Sequence, residues 1–354
     1  MMAGAKTLRF PYDPKPYSYD GEALRRSWNR LHKGDCEPYP DAAAVQQAWR
    51  AFHRGDFTDA IAQGAKGSPL GSLAASKAAA VAATYLEEDD RRALKLLEDA
   101  AKRAEEATRK LPDHANSWYL LAFALGRYAQ RISIVKALAE GIGGKVRHAL
   151  DRALELEPKH ADAHIALGLY HAEIIDKVGA LAGRLTYGAD AGKSVKHFEQ
   201  ALKLNPDSAI AHMEFANGLL MLHGDAKKKQ AVELYRKAAA CKPADAMEHL
   251  DVEQAKAELE LTDSAALLKE PLIYPRMGAT VCDFRPWQEA RSDVYQVIHE
   301  RRATPPGTKI ARSLRVTRGP WRAFVAHLAY RPCYRASARA LSRQGARVTR
   351  PMRG

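Results

Sequence analysis

Three segments of the chain read alike: VRHALDRALELEP (146–158), SVKHFEQALKLNP (194–206) and AVELYRKAAACKP (231–243). In the second, Ser194, Phe198, Ala201 and Pro206 are spaced by four, three and five residues. Ala231, Tyr235, Ala238 and Pro243 keep all three intervals, and Leu150, Ala153 and Pro158 keep the last two. Intervals of three and four put a large apolar residue and a small one on one helical face. The proline then stops the helix. Each segment therefore reads as the closing helix of a repeated unit.

An apolar-periodic stretch precedes each closing helix. His114–Gln130 carries Trp118, Leu121 and Ala122; Ala161–Glu173 carries His164, Leu167 and Gly168; Ala209–Leu222 carries His212, Phe215 and Ala216. These align as opening helices, so each unit is a helix pair. Ala246–Leu261 follows Pro243 alone and reads as a cap. Upstream, Asp41 is the expected N-cap of a helix over Ala42–His53, Gly55-Asp56-Phe57 marks a turn, and the half-unit from Gly64 to Gly71 is degenerate. Ser72–Leu86 and Asp90–Leu111 form the next pair, ended by Pro112. The first of these is alanine-rich and interrupted by Lys77.

The spacings W-x2-L-[GA] and A-x3-[FY]-x2-A-x4-P, in register from His114 to Pro243, resemble the tetratricopeptide repeat, and the resemblance extends more weakly over the whole of residues 41–262. The prolines Pro112, Pro158, Pro206 and Pro243 are 46, 48 and 37 residues apart, against about 34 in the standard repeat. The two large excesses fall at residues 130–144 and 174–192, between the helices of a pair. Longer helices joined by glycine turns would absorb them. Such long intra-repeat insertions resemble proteins of the regulator-of-microtubule-dynamics type. The resemblance implies an all-α fold, an α-α superhelix whose concave groove is lined by opening helices. It also implies a non-catalytic adaptor that binds a peptide or amphipathic helix of a partner protein. Carried over by position, the groove residues are Asn116, Tyr119, Phe123, Arg127, Asp162, Ile165, Leu169, Glu173, Met213 and Asn217. Apolar centres with a few polar groups suit an amphipathic helix or extended peptide. The groove takes either such a partner or the chain's own N-terminal arm or an insertion.

The expected organisation has four parts. Residues 1–40 form an extended arm whose prolines exclude regular helix, with a short helix over Gly21–His32. Residues 41–262 form the repeat domain, 263–300 an irregular connector and 301–354 an arginine-rich tail. The net charge of +13 belongs to the tail: residues 301–354 hold 13 Arg, one Lys and no acidic residue, leaving 41 basic and 42 acidic side chains in residues 1–300. A near-neutral body lacks the footprint of a nucleic-acid-binding domain. The tail is open to three readings: nucleic-acid or anionic-surface binding, a disordered tail without a partner, or sequence from a shifted reading frame. The last two fit together better.

No catalytic constellation stands out, and no cofactor is expected. His160, His164 and His171 invite a metal reading, but His164, His212 and His249 recur at the position of Trp118, so packing explains them and no metal is expected. Gly188 to Ser194 imitates a phosphate loop with one residue too few and no preceding strand. The four cysteines are far apart, which suits a reducing compartment. No window of the chain is apolar enough for a secretory signal or a membrane span, so a cytoplasmic location is expected.

Overall fold

Helix starts follow the placement of short polar side chains. Ser68, Asp89, Asp190 and Ser208 each accept the backbone N–H three residues on, which satisfies an amide that the helix itself cannot. The computed structural model describes residues 8–66 and 68–267, the last seven of these as helix backbone only. The α-helices among them are α1 (Ala23–Leu31), α2 (Ala43–Arg54), α3 (Phe57–Gly64), α4 (Pro69–Tyr85), α5 (Asp90–Lys110), α6 (Ala115–Ala129), α7 (Ile134–Ala139), α8 (Ile142–Leu156), α9 (Ala161–Val178), α10 (Ala180–Tyr187), α11 (Ala191–Leu204), α12 (Ala209–His223), α13 (Lys228–Ala239) and α14 (Ala246–Leu267), and there is no strand among the described residues. The connector and tail expected beyond residue 267 lie outside the described residues. Among the described residues no helix is long and apolar enough to cross a membrane.

From α2 onward the paired helices pack in sequence, with α6 on α8 and α9 on α11 so that α7 and α10 are passed over, and the opening helices α2, α4, α6, α9, α12 and α14 also pack on one another in turn. That is a helical-repeat solenoid, with α3, α5, α8, α11 and α13 as the closing helices. Two cores run through it, one from the arm to α9 and one across α9, α11, α12, α13 and α14.

The motif residues make the interior of each pair. Phe198 is buried, stacked on Phe215 at 5.2 Å between ring centroids. A Cβ at Gly168 would stand 2.9 Å from its ring, and one at Gly218 would stand 2.6 Å from it. Ser194 donates its hydroxyl to the Gly168 carbonyl at 2.7 Å, so its place in the false phosphate loop is structural. The position shared by Trp118, His164 and His212 has one job. Each ring donates an N–H to the carbonyl of the proline six residues earlier, at 2.8, 3.2 and 3.0 Å, to Pro112, Pro158 and Pro206. The ring thereby ties the opening helix to the end of the preceding closing one. The fourth member, His249, turns instead to the Tyr17 hydroxyl at 2.8 Å.

Two expectations need correction. Asp41 does not cap α2: the N-cap is Ala42, which has no side-chain acceptor. The insertions do more than lengthen the paired helices. Although α9 runs on to Val178, α7 and α10 are separate short helices, set off by Gly141, Gly179 and Gly188 at φ 65°, 83° and 64°. Positive φ breaks the helix and favours glycine. The two insertions meet where Tyr187 lies on Gly143, 3.1 Å from the place of a Cβ.

A histidine cluster sits between α9 and α11. Because His164 gives its Nε2–H to Pro158, its Nδ1 accepts from His197 Nδ1 at 2.9 Å. His171 stacks on His197 and is buried with neither ring nitrogen hydrogen-bonded. Burial, helped by Arg147 and the neighbouring imidazole, holds both His171 and His197 down at about 4.

Two measurements test this packing. Gly168→Ala should cost about 1–3 kcal/mol in chemical denaturation, because Phe198 is held between two glycines and has nowhere to move. For the histidines, a folded-state pKa below the unfolded value means stability present above about 6.5 and lost as pH falls toward 4. His171→Leu should therefore show a shallower fall in melting temperature between pH 7 and 4.5 than the parent chain. Equal slopes would discount the cluster.

Candidate functional site: the concave face

The inner face is built around α4, whose alanines let neighbouring helices approach closely. Its residues from Leu73 to Ala83 are buried without exception. Lys77 is among them, and an ammonium there needs a partner. The partner is Asp35 of the N-terminal arm, 2.6 Å from Nζ. Asp35 also takes His32 Nδ1 at 2.8 Å. Although burial opposes its charge, Lys77 and then His32 hold the Asp35 carboxyl well below the usual carboxylate range.

The arm therefore runs into the concave face. Asn116 donates its amide to the Asp35 carbonyl at 2.8 Å and to Glu37 at 2.7 Å. His114 contacts the same Glu37 carboxylate at 3.0 Å. The Asp162 amide donates to the Gly34 carbonyl at 3.0 Å, and its side chain lies on Gly34 so closely that a Cβ there would stand 2.3 Å from Oδ1. The Asp162 carboxyl is pushed up to about 7 by burial, with Lys77 opposing.

The arm then reaches the other end of the repeat array. Arg30 forms two hydrogen bonds with Glu248, at 2.6 and 2.8 Å. His53 on α2 meets Asp245 at 2.8 Å. Tyr19 donates its hydroxyl to the Ala244 carbonyl, and Tyr12 stacks on His249 at 4.6 Å. Farther along, Tyr85 at the end of α4 donates to Asp251 of α14. Burial raises the Asp251 carboxyl to about 8. The first and last opening helices are thus fastened both directly, by His53 and Asp245, and through the arm.

This arrangement divides the ten expected groove residues. Asn116 and Asp162 hold the arm. Ile165 and Met213 are buried in the second core. The others gather farther along. Tyr119 is buried, packed against Phe123 and His160. The Arg127 guanidinium lies 5.6 Å over the Phe123 ring and pairs with Glu214 at 3.2 Å. Asn217 donates to Glu214 at 2.9 Å and accepts from the Tyr235 hydroxyl at 2.6 Å. Glu173 accepts from Gln130 at 2.6 Å. Phe123 and Leu169 are half-buried. Among the residues absent from the sequence reading are Asp35, Glu37, Glu214 and Asp245, with Arg30, Glu248 and Asp251. One signal pointed to the first of them: a single lysine in an otherwise apolar inner helix.

Among the described residues no three His, Cys, Asp or Glu side chains converge as metal ligands would. What the face offers is a patch of ring and aliphatic carbon bordered by paired charges. A double-mutant cycle tests its foundation. Lys77→Met should cost about 3–5 kcal/mol in denaturant unfolding, since it strands a buried carboxylate, and adding Asp35→Asn should recover much of that loss.

No curated protein sequence matches the chain. TTC0263, a thermophilic TPR protein of Thermus thermophilus, superposes with a TM-score of 0.43 at 16% identity, covering 60% of this chain and 97% of its own. The human IFIT1 dimer with m7Gppp-AAAA gives 0.38 at 16% identity, covering 79% of this chain and 69% of its own. The family model for regulator of microtubule dynamics protein 1-3 matches residues 72–263. That span runs from α4 into α14, takes in both long insertions and exceeds half the chain, so this protein belongs to the regulator of microtubule dynamics protein 1-3 family.

Proposed function

We propose that this protein is a non-catalytic scaffold that holds a segment of a partner protein against the part of the concave face that the arm leaves uncovered. The observation that carries the proposal is the pair Phe123 and Leu169, half-buried apolar side chains on successive opening helices. Arg127, Glu173 and Asn217 border them. Apolar anchors ringed by polar groups suit one face of an amphipathic helix. The arm occupies the stretch around Asn116 and Asp162, and its own Leu24 and Trp28 are part of the core. The segment bound is therefore confined to the face beyond Asn116 and Asp162. The family description directs the partner search to proteins found on microtubules.

Cross-linking from a photoreactive residue placed at Gln130, followed by mass spectrometry, tests this reading. The parent chain should give a discrete partner, and Phe123→Ala/Leu169→Ala should lose it while keeping a cooperative melt. The same partner captured equally by the double variant would place binding elsewhere. A second reading rests on the +14 charge of residues 301–354: nucleic-acid or anionic-surface binding by the tail. There, removal of residues 301–354 should abolish salt-sensitive RNA retention, and retention by the shortened chain would end that reading.

A further inference from the structure

The helix α1 has two faces with different fates. Leu24, Trp28 and Leu31 are buried against the repeat array, and Arg30 is committed to Glu248. Another side of α1 carries Arg25 and Asn29, and Lys33 follows in the turn after the helix ends at Leu31. None of these three side chains has a hydrogen bond or an ion pair among the described residues. They border a cleft of about 550 Å³ that lies between α1 and the segment Cys36–Pro38–Tyr39. The floor is the Trp28 indole stacked on His32 at 4.0 Å. The Arg25 guanidinium leans 5.2 Å over the Tyr39 ring, which keeps it at the mouth. The one acidic side chain of the lining, Glu37, is buried and taken by His114 and Asn116. The cleft thus presents two cations that have no ion pair among the described residues, with an amide beside them.

We infer that this cleft binds an acidic segment of another protein in extended form, with one carboxylate on Arg25 and another on Lys33. Six helical steps along α1 and two residues of the turn after it separate Arg25 from Lys33, about 9 Å for the helical part alone. A single phosphate or carboxylate cannot bridge that distance. An extended chain crosses it in about four residues, and the Asn29 amide lines the same cleft, where it can donate to and accept from a peptide backbone. The fork of Arg25 suits a carboxylate and Lys33 supplies a point charge. The cleft shares no lining residue with the patch of Phe123 and Leu169, so the inference holds whether or not that patch takes a partner.

The test uses the full chain and an acetylated five-residue peptide with aspartate at both ends and alanine between, followed by titration calorimetry at low salt. Arg25→Ala and Lys33→Ala should each weaken binding about threefold and the double variant about tenfold, as expected of half-exposed charge pairs. Arg26→Ala removes the same charge from the same helix outside the cleft and should leave the affinity unchanged. The asparagine-ended peptide should not bind. Equal weakening by Arg26→Ala, or no measurable heat with the aspartate peptide, would overturn the inference. So would displacement of the peptide by inorganic phosphate at similar concentration, which would make the cleft a site for single anions. All three substitutions are on exposed or half-exposed side chains, and an unchanged melting temperature confirms that loss of binding is not loss of fold.

Discussion

The ion pair between Lys77 and Asp35 is the constraint on which the rest of this structure depends. A lysine in the middle of a buried alanine-rich helix is tolerable only with a carboxylate beside it. The carboxylate comes from a segment forty-two residues earlier in the chain. Meeting it draws the arm into the concave face, and the arm then brings Arg30 and Tyr17 to α14. The pair adds little net stability over an apolar substitute of the same shape. Its effect is to specify one path for the arm, because any other path strands two charges in a medium that cannot solvate them.

Much of the repeat array was legible from sequence. The spacing of Phe198, Ala201 and Pro206 located the closing helices, and the recurrence of ring residues at 118, 164 and 212 located the opening ones. The physical reason is that these are local patterns: one helix face, one proline, one hydrogen bond six residues back. The recurrence also argued against reading His164 as a metal ligand, and the contact with the preceding proline carbonyl now explains why a ring with an N–H belongs there.

What sequence could not give was long-range pairing. Asp35 and Lys77, His53 and Asp245, Arg30 and Glu248 are distant in the chain, and no local period announces them. Hence repeat positions name ten groove residues without distinguishing those that seat the arm from those buried in the core, such as Ile165 and Met213. Asn116 and Asp162 belong to the arm's seat, and Phe123 and Leu169 to the part beyond it. The insertions show the same limit on a smaller scale. Their glycines were visible, but only the backbone sign at Gly141 and Gly179 turns a lengthened helix into a break and a short extra one.

The fastening of α14 to the arm has a consequence for how such a protein can evolve. Open arrays of helix pairs grow and shrink by whole units, since each touches only its neighbours. Here the two ends of the array are clasped to each other. A duplicated unit would carry Glu248 and Asp245 one step out of reach of Arg30 and His53, and a deleted one would drive them past. The clasp fixes the number of repeats, as a buckle fixes the length of a belt.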